Sequence, residues 1–321
     1  MTAVLWCILG LGALIGGAEL LLNGGLRLAG LARIPPILLG LTVVAVGTST
    51  PELAVGIDAA LMGSGSLAVG NIAGTNTFNI LFILGLSALM LPLPLDARTV
   101  RYDVPAMVIA ALMLLAMAWD GLLSRLDGAI MVAAGIAYTA AIVYGARQEQ
   151  QQEIAGFAGK YTTDQAKLRR ALFSLVQLLV GIAIIVVGAD WLVMGATDLA
   201  RLLGVSDALI GLTVVAIGTS APELVTTVMS TLRNERAIAI GNLIGSSVYN
   251  ILFILGVTVL VPAQGVPVEP LLMYVDLPVM AATALVCIPV FLTGRRVTRA
   301  EGALFVGAYI AYMTYLVLVR G

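Results

Sequence analysis

The sequence contains no histidine, only two cysteines, and only 17 basic plus 18 acidic side chains among 321 residues. Without histidine there can be no His-ligated zinc, no Ser-His-Asp or Cys-His nucleophile system and no imidazole proton relay. Cys7 and Cys287 each lie inside an apolar run and read as small lipid- or core-facing residues that say nothing about redox compartment. Charged residues make up 11% of the chain, against about 25% in a soluble domain. A net charge of −1 and a pI near 5.5 imply no polyanionic partner, so nucleic-acid binding is excluded. Intrinsic disorder and a secreted disulfide scaffold are excluded with it.

Apolar residues are abundant: 60% of the chain, with a mean hydropathy of +1.05. That is more than one globular core can bury, so the solvent is a lipid bilayer. A transmembrane helix needs about 20 mainly apolar residues. Ten segments qualify, at 4–31, 35–62, 66–92, 102–122, 126–146, 171–203, 206–232, 236–262, 272–293 and 299–319. The fourth is the weakest, since only Val104 to Trp119 is uninterrupted. No basic region precedes the first segment, so a cleaved signal peptide is not expected. The one polar stretch, Arg147 to Arg170, carries eight charges in 24 residues and reads as a solvated linker.

Basic residues orient these spans. One side receives Arg27, Arg33, Arg98, Arg101, Arg147, Lys160, Lys167, Arg169, Arg170, Arg233, Arg236, Arg295, Arg296 and Arg299; the other receives Arg125, Arg201 and Arg320. Fourteen against three places both termini outside and the linker in the cytoplasm.

The chain also repeats itself. Residues 40–53, GLTVVAVGTSTPEL, match 211–224, GLTVVAIGTSAPEL, at 12 of 14 positions with an offset of 171. At the same offset 68–85, AVGNIAGTNTFNILFILG, match 239–256, AIGNLIGSSVYNILFILG, at 11 of 18. The expected fold is therefore an all-α membrane protein of ten transmembrane helices in two halves, 1–146 and 171–321, joined by 147–170. Five spans per half is an odd number, so the second half enters the membrane upside down. Inverted repeats are the architecture of secondary transporters, with the binding site at the midplane between halves. A duplicated structural protein is the plainer alternative.

The repeated motifs fall at mid-span. Pro51 and Pro222 cannot donate to the carbonyls of Gly47 and Gly218, which breaks each helix where a polar cavity can use the freed oxygens. Thr48, Ser49, Thr219 and Ser220 add hydroxyls there. Glu52 and Glu223 add charge, at a cost of at least about 2.5 kcal/mol for an ionised carboxylate at the bilayer centre. A bound cation removes that cost, and protonation of one glutamate is the alternative. Asn71, Thr75 and Asn79 form one polar helix stripe, and Asn242, Ser246 and Asn250 its counterpart. Thr75, Asn79, Ser246 and Asn250 are read as ligands; Asn71 and Asn242 are read as packing or supporting residues. An all-oxygen set disfavours soft transition metals and suits Ca²⁺ better than Mg²⁺, while the same oxygens can hold Na⁺. Composition alone stops at a hard-cation transporter.

At these residues the sequence resembles the sodium/calcium exchanger family, the calcium:cation antiporters, through GTSTPE with GNIAGTNTFN and GTSAPE with GNLIGSSVYN. The resemblance implies that Thr48, Ser49, Glu52, Thr75 and Asn79 form one half of the ion site, and Thr219, Ser220, Glu223, Ser246 and Asn250 the other. It also implies that backbone oxygens of Ala45 and Ala216 join flanking Na⁺ positions, and that several Na⁺ exchange for one Ca²⁺ by alternating access, with spans one and six as a sliding gate. No cofactor is implied; the partners are Ca²⁺, Na⁺, competing H⁺ and the bilayer of the plasma (inner) membrane. Amides at Asn79 and Asn250 argue against K⁺ co-transport. Thr75-Asn76 and the lack of histidine argue against the proton/calcium branch, which stays as the alternative: H⁺/Ca²⁺ or other cation/Ca²⁺ antiport on the same scaffold.

Other charged residues are given structural roles. Glu19 and Asp190 are read as interhelical hydrogen-bonding or snorkelling groups and Asp58 as a vestibule residue. Asp103 and Asp276, each two residues before a proline, are read as helix N-caps. Trp6, Trp119 and Trp191 are read as interface anchors or core. A channel lacks a filter sequence here, and an enzyme lacks a nucleophile–base pair.

Overall fold

A backbone in hydrocarbon must satisfy its own hydrogen bonds, and these apolar runs do so as helices. The computed structural model describes residues 2–32, 34–155, 165–204 and 216–320. Its helices are α1 (Thr2–Ala32), α2 (Pro36–Thr48), α3 (Thr50–Leu61), α4 (Gly65–Met90), α5 (Thr99–Asp120), α6 (Arg125–Ala155), α7 (Gln165–Leu202), α8 (Ala216–Thr219), α9 (Ala221–Leu232), α10 (Arg236–Leu260), α11 (Leu272–Leu292) and α12 (Arg299–Arg320). Among the described residues, α1, α4, α5, α6, α7, α10, α11 and α12 are long and apolar enough to cross a membrane. The α2–α3 pair, bent by 41° at Ser49, makes a ninth crossing if counted as one broken span. The expected seventh segment, 206–232, is described from Ala216 onward as α8 and α9; residues 206–215 lie outside the described residues, as do Arg33 and Lys160.

Helix extends into the polar stretch 147–170 from both sides. Helix α6 runs on to Ala155 and α7 starts at Gln165, leaving 156–164 outside the described residues. Nothing in RQEQQQEIA breaks a helix, so charge ends the apolar run without ending the helix.

Asp103 and Asp276 are not N-caps. Each closes a π-helical turn, Thr99–Asp103 and Leu272–Asp276, inside a continuous helix, and neither makes a capping hydrogen bond. The Val104 N–H reaches back to the Thr99 carbonyl, and that of Leu277 to Leu272. The wide turn makes room for Pro105 and Pro278, so the helix starts before the proline instead of at it. Asp276 accepts a 2.6 Å hydrogen bond from Tyr312 Oη.

Helices α4 and α10 form the buried centre, and α1, α6, α7 and α12 are the most exposed of the spans. Two short ribbons tie the loops: Leu93–Pro94 pairs with Arg296–Val297, and Leu122–Leu123 with Val266–Pro267. Helices α1 and α7 lie antiparallel along a seam of glycines seven residues apart. A Cβ on Gly10 would meet Leu192 N at 2.5 Å, on Gly17 Gly181 O at 2.9 Å, and on Gly24 Leu178 N at 2.7 Å. From the other side, a Cβ on Gly181 would meet Leu21 N at 2.5 Å and one on Gly188 would meet Leu14 N at 2.8 Å. Small residues let backbones touch in a membrane, where helices gain little from burying more hydrocarbon. Trp6 and Trp191 close one end of the seam with ring centroids 5.6 Å apart, while Trp119 is exposed.

The seam makes a paired prediction. A methyl group added at Gly16 would find no atom within 4 Å, whereas one added at Gly17 would run into the α7 backbone. Gly17→Ala therefore lowers stability by about 1–3 kcal/mol through overpacking, and Gly16→Ala leaves it unchanged or raises it by about 0.5–1 kcal/mol. Thermal unfolding of the two variants in detergent decides it; equal melting temperatures would rule out the seam.

Candidate functional site

Proline sets the geometry of both GTSxPE segments. Pro51 and Pro222 sit in the first turn of α3 and α9, and the residues before those helices, Ser49 and Ser220, share one non-helical conformation (φ −84°, ψ 12° and φ −87°, ψ 5°). Each break thereby puts a Thr-Ser pair at the junction and a glutamate in the first turn beyond it. Both glutamates are fully buried, at 0% exposure, and near enough to act on each other electrostatically.

Nearly every polar residue named from the motifs is buried at this junction. Thr48, Ser49, Thr75, Asn79, Thr219, Ser220, Ser246 and Asn250 are all buried, as is Ala45. Ser49 Oγ donates to Glu223 Oε1 at 2.9 Å across the two halves. Ser220 Oγ donates instead to Thr75 Oγ1 at 3.3 Å. The Ala45 carbonyl accepts from Ser49 N at 3.1 Å, Thr48 Oγ1 at 3.3 Å and Ser246 Oγ at 3.5 Å. Ala216 opens the short helix α8, and its backbone alone is described. Asn79 and Asn250 lie in π-helical turns, Phe78–Leu84 and Asn250–Leu255, so the polar stripes cross from α-helical to wider geometry at their last member. No residue in either NILFIL run announces that change.

What stands out chemically is the set of atoms without a partner. Among the described residues, both carboxylate oxygens of Glu52, Oε2 of Glu223, both amide atoms of Asn79 and Oδ1 of Asn250 are buried without a hydrogen-bond partner. Buried polar atoms are rarely left so, because each costs about 1–3 kcal/mol, and more when charged. Five of these six atoms are oxygens, and a cation is the ligand that would serve them together. Among the described residues no cluster of three acidic, Cys or His groups exists, so charge at this site comes from the two glutamates.

Sequence reasoning missed two members of the surrounding network. Thr227 accepts from Asn242 Nδ2 at 3.0 Å, while Asn242 Oδ1 accepts from Thr48 Oγ1 at 3.2 Å, so Thr227 and Asn242 together hold Thr48. The spacing of Thr227, four residues after Glu223 on the same helix face, was the available signal. Asn76 is the second; it lies inside GTNTFN between two residues read as ligands. Glu19, Asp190 and Asp58 are not part of this cluster. Glu19 ion-pairs with Arg233 and accepts from Asn23 Nδ2 at 3.1 Å, and Arg233 Nη1 donates to Asn23 Oδ1 at 3.0 Å, which ties α1 to the end of α9. Asp58 and Asp190 are exposed.

Orphaned oxygens imply cation-dependent stability. At a Ca²⁺ concentration of about 100 times the dissociation constant, binding adds about 2.7 kcal/mol. The melting temperature therefore rises with Ca²⁺, rises less with equal Mg²⁺, and returns with chelator; a melting curve indifferent to Ca²⁺ would remove the cation from this cluster.

Comparison with known proteins agrees with this chemistry. The family described as "Sodium/calcium exchanger protein" matches residues 2–144 and 173–318. The inner membrane protein YrbG of Escherichia coli (strain K12) is 34% identical, covering 96% of this chain and 95% of its own. The sodium/calcium exchanger MaX1 of Methanosarcina acetivorans is 29% identical, covering 96% and 97%. Among solved structures, the sodium-calcium exchanger NCX_Mj soaked with Na⁺ and Sr²⁺ superimposes with a TM-score of 0.84 at 29% identity, covering 98% of each chain. The chain is a multi-span membrane protein of the sodium/calcium exchanger family, whose members are antiporters that move Ca²⁺ against another cation.

Proposed function

We propose that this chain is a Na⁺/Ca²⁺ antiporter of the plasma (inner) membrane, working by alternating access at the buried oxygen cluster between its halves. The observation that carries the reading is the pair Glu52 and Glu223, each at 0% exposure, with three of their four oxygens lacking a hydrogen-bond partner among the described residues. Two carboxylates neutralise one Ca²⁺, and the remaining ligands come from Thr48, Ser49, Thr75, Asn79, Thr219, Ser220, Ser246 and Asn250. Backbone oxygens of Ala45 and Ala216 contribute to flanking Na⁺ positions.

Ten spans in two inverted repeats, 1–146 and 171–321, frame that site, with both termini outside and 147–170 in the cytoplasm. Loop pairing supports this topology. It places the loops holding Leu93–Pro94 and Arg296–Val297 on the cytoplasmic side and those holding Leu122–Leu123 and Val266–Pro267 on the other, and these are the loops that pair. Ser66 Oγ donating to the Pro267 carbonyl, and Arg236 to that of Pro92, also join loops assigned to one side. The antiparallel glycine seam of α1 and α7 is built from repeat-equivalent positions, since Gly10, Gly17 and Gly24 are 171 positions before Gly181, Gly188 and Gly195, and Gly10 faces Gly188 as Gly17 faces Gly181.

Sodium is preferred over protons as the coupling ion because of the neutral oxygens. A proton needs one carboxylate oxygen; a Na⁺ stripped of water needs several ligands, which the hydroxyl, amide and carbonyl groups here supply. If three Na⁺ exchange for one Ca²⁺, one net charge crosses, worth about 2.3 kcal/mol per 100 mV. In proteoliposomes at clamped pH, an imposed Na⁺ gradient drives ⁴⁵Ca²⁺ uptake. Uptake that follows only a pH gradient would replace Na⁺ by H⁺ in this reading, and uptake with no counter-ion would make the protein a channel. Glu52→Gln and Glu223→Gln each reduce exchange to background while the protein still inserts; retained exchange in either removes that residue from the site.

A further inference from the structure

Asn76 is an amide in an apolar setting. It is 4% exposed and borders a void of about 10 Å³ shared with Ile80, Met107, Ala111, Ile251 and Met280. Burying a primary amide among such side chains is unfavourable unless its hydrogen bonds are made. Here they are. Asn76 Nδ2 donates to the Ser247 carbonyl at 3.1 Å and approaches Met280 Sδ at 3.8 Å, while Asn76 Oδ1 accepts from Asn250 Nδ2 at 3.1 Å.

The order of these bonds determines which way round Asn250 sits. A backbone carbonyl only accepts, so Asn76 must turn its NH₂ group toward Ser247. Its oxygen is then left facing Asn250, which must answer with NH₂. The carbonyl oxygen of Asn250 is thereby forced to the opposite side, where it is buried and without a partner among the described residues. The repeat-equivalent arrangement differs. Asn79 corresponds to Asn250, and Ser247 to Asn76, at the offset of 171. Ser247 Oγ donates to the Leu243 carbonyl of its own helix, and both amide atoms of Asn79 lack partners among the described residues.

We propose that Asn76, although no ion ligand itself, is a positioning residue that locks the Asn250 amide with its oxygen presented to the cation, whereas the Asn79 amide is free to turn. The proposal rests on reading Asn250 as a ligand. It makes one amide of the site a fixed oxygen donor and the other an adaptable one, able to offer oxygen to an ion or NH₂ to a carboxylate.

A double-mutant cycle tests it. Asn76→Leu fills the space and offers no acceptor, and Asn76→Ala serves where leucine disturbs packing. In the parent chain either change lets the Asn250 amide turn, and apparent Ca²⁺ affinity, read both from the Ca²⁺-induced melting shift and from the KM of exchange, falls about five- to tenfold, with maximal rate changing less. In an Asn250→Asp background the side chain presents oxygen whichever way it turns. There the same Asn76 changes cost no Ca²⁺ affinity, since an Asn76 oxygen facing a carboxylate contributes nothing favourable. Equal losses in both backgrounds would show a merely structural role and overturn the proposal, as would no loss in the parent. If neither the parent chain nor Asn250→Asp binds Ca²⁺ at all, the reading of the site falls and the proposal with it; parents that bind while the Asn76 variants match them overturn the proposal alone.

Discussion

Two carboxylates held out of water are the constraint around which the rest is arranged. Glu52 and Glu223 are completely buried within a shell of small hydroxyl, amide and carbonyl groups, and that shell is wrapped in turn by Leu, Ile, Val and Phe. An ionised pair in such a place is untenable without compensation, because desolvation and mutual repulsion act in the same direction. The protein compensates only in part. Ser49 donates one hydrogen bond to Glu223, and among the described residues no side chain donates to Glu52. In the proposed function, that incomplete compensation is what would give the pair affinity for a positive charge that arrives and departs. A fully bonded carboxylate pair would be a stable structural element with no reason to bind cargo.

The two halves carry nearly the same motifs and use them differently. Ser49 crosses to the opposite glutamate while its counterpart Ser220 bonds to Thr75. Asn242 is held by Thr227, and the position equivalent to Thr227 is Gly56, where no side chain could do the same for Asn71. Asn250 is oriented by Asn76, and among the described residues Asn79 has no such neighbour. A strictly twofold cage would give its cation two identical hemispheres. Sequence divergence at Gly56/Thr227 and Asn76/Ser247 instead makes the two sides of the cluster unequal.

Much of this was legible in the sequence because lipid enforces simple rules. Hydropathy located the eight long apolar helices of the described residues, since an apolar run of about 20 residues has one stable conformation in a bilayer. Pro51 and Pro222 located the helix breaks, and the junction residues Ser49 and Ser220 lie there. Helical spacing put Thr75 with Asn79 and Ser246 with Asn250 on polar stripes, and all four are buried, although Asn71 of the first stripe is only partly so. Errors arose where local chemistry competes with a wider turn. The Asp-x-Pro sequences at Asp103 and Asp276 resemble helix starts, but a π-helical turn absorbs the proline and the helix begins several residues earlier. The glycine seam of α1 and α7 has a period of seven in both halves, visible in the letters once the packing is known.

Asn76 and Thr227 escaped notice for a different reason. Residue type announces a ligand when the group is costly to bury, as a carboxylate is, but an amide or hydroxyl is common in helix contacts and its role depends on what it meets. Thr227 meets Asn242, and Asn242 meets Thr48 beside the helix break. Such a chain transmits orientation without transmitting charge: each donor fixes the next acceptor until one oxygen is left with no partner among the described residues. Directional bonding thus converts a backbone carbonyl at Ser247 into an unshared lone pair on Asn250, two hydrogen bonds away. The same logic explains why the helices carrying these groups, α4 and α10, are the most deeply buried of the described spans. Orientation relayed through hydrogen bonds survives only if the relaying backbones do not move relative to one another, and close packing at the centre of the bundle holds them still.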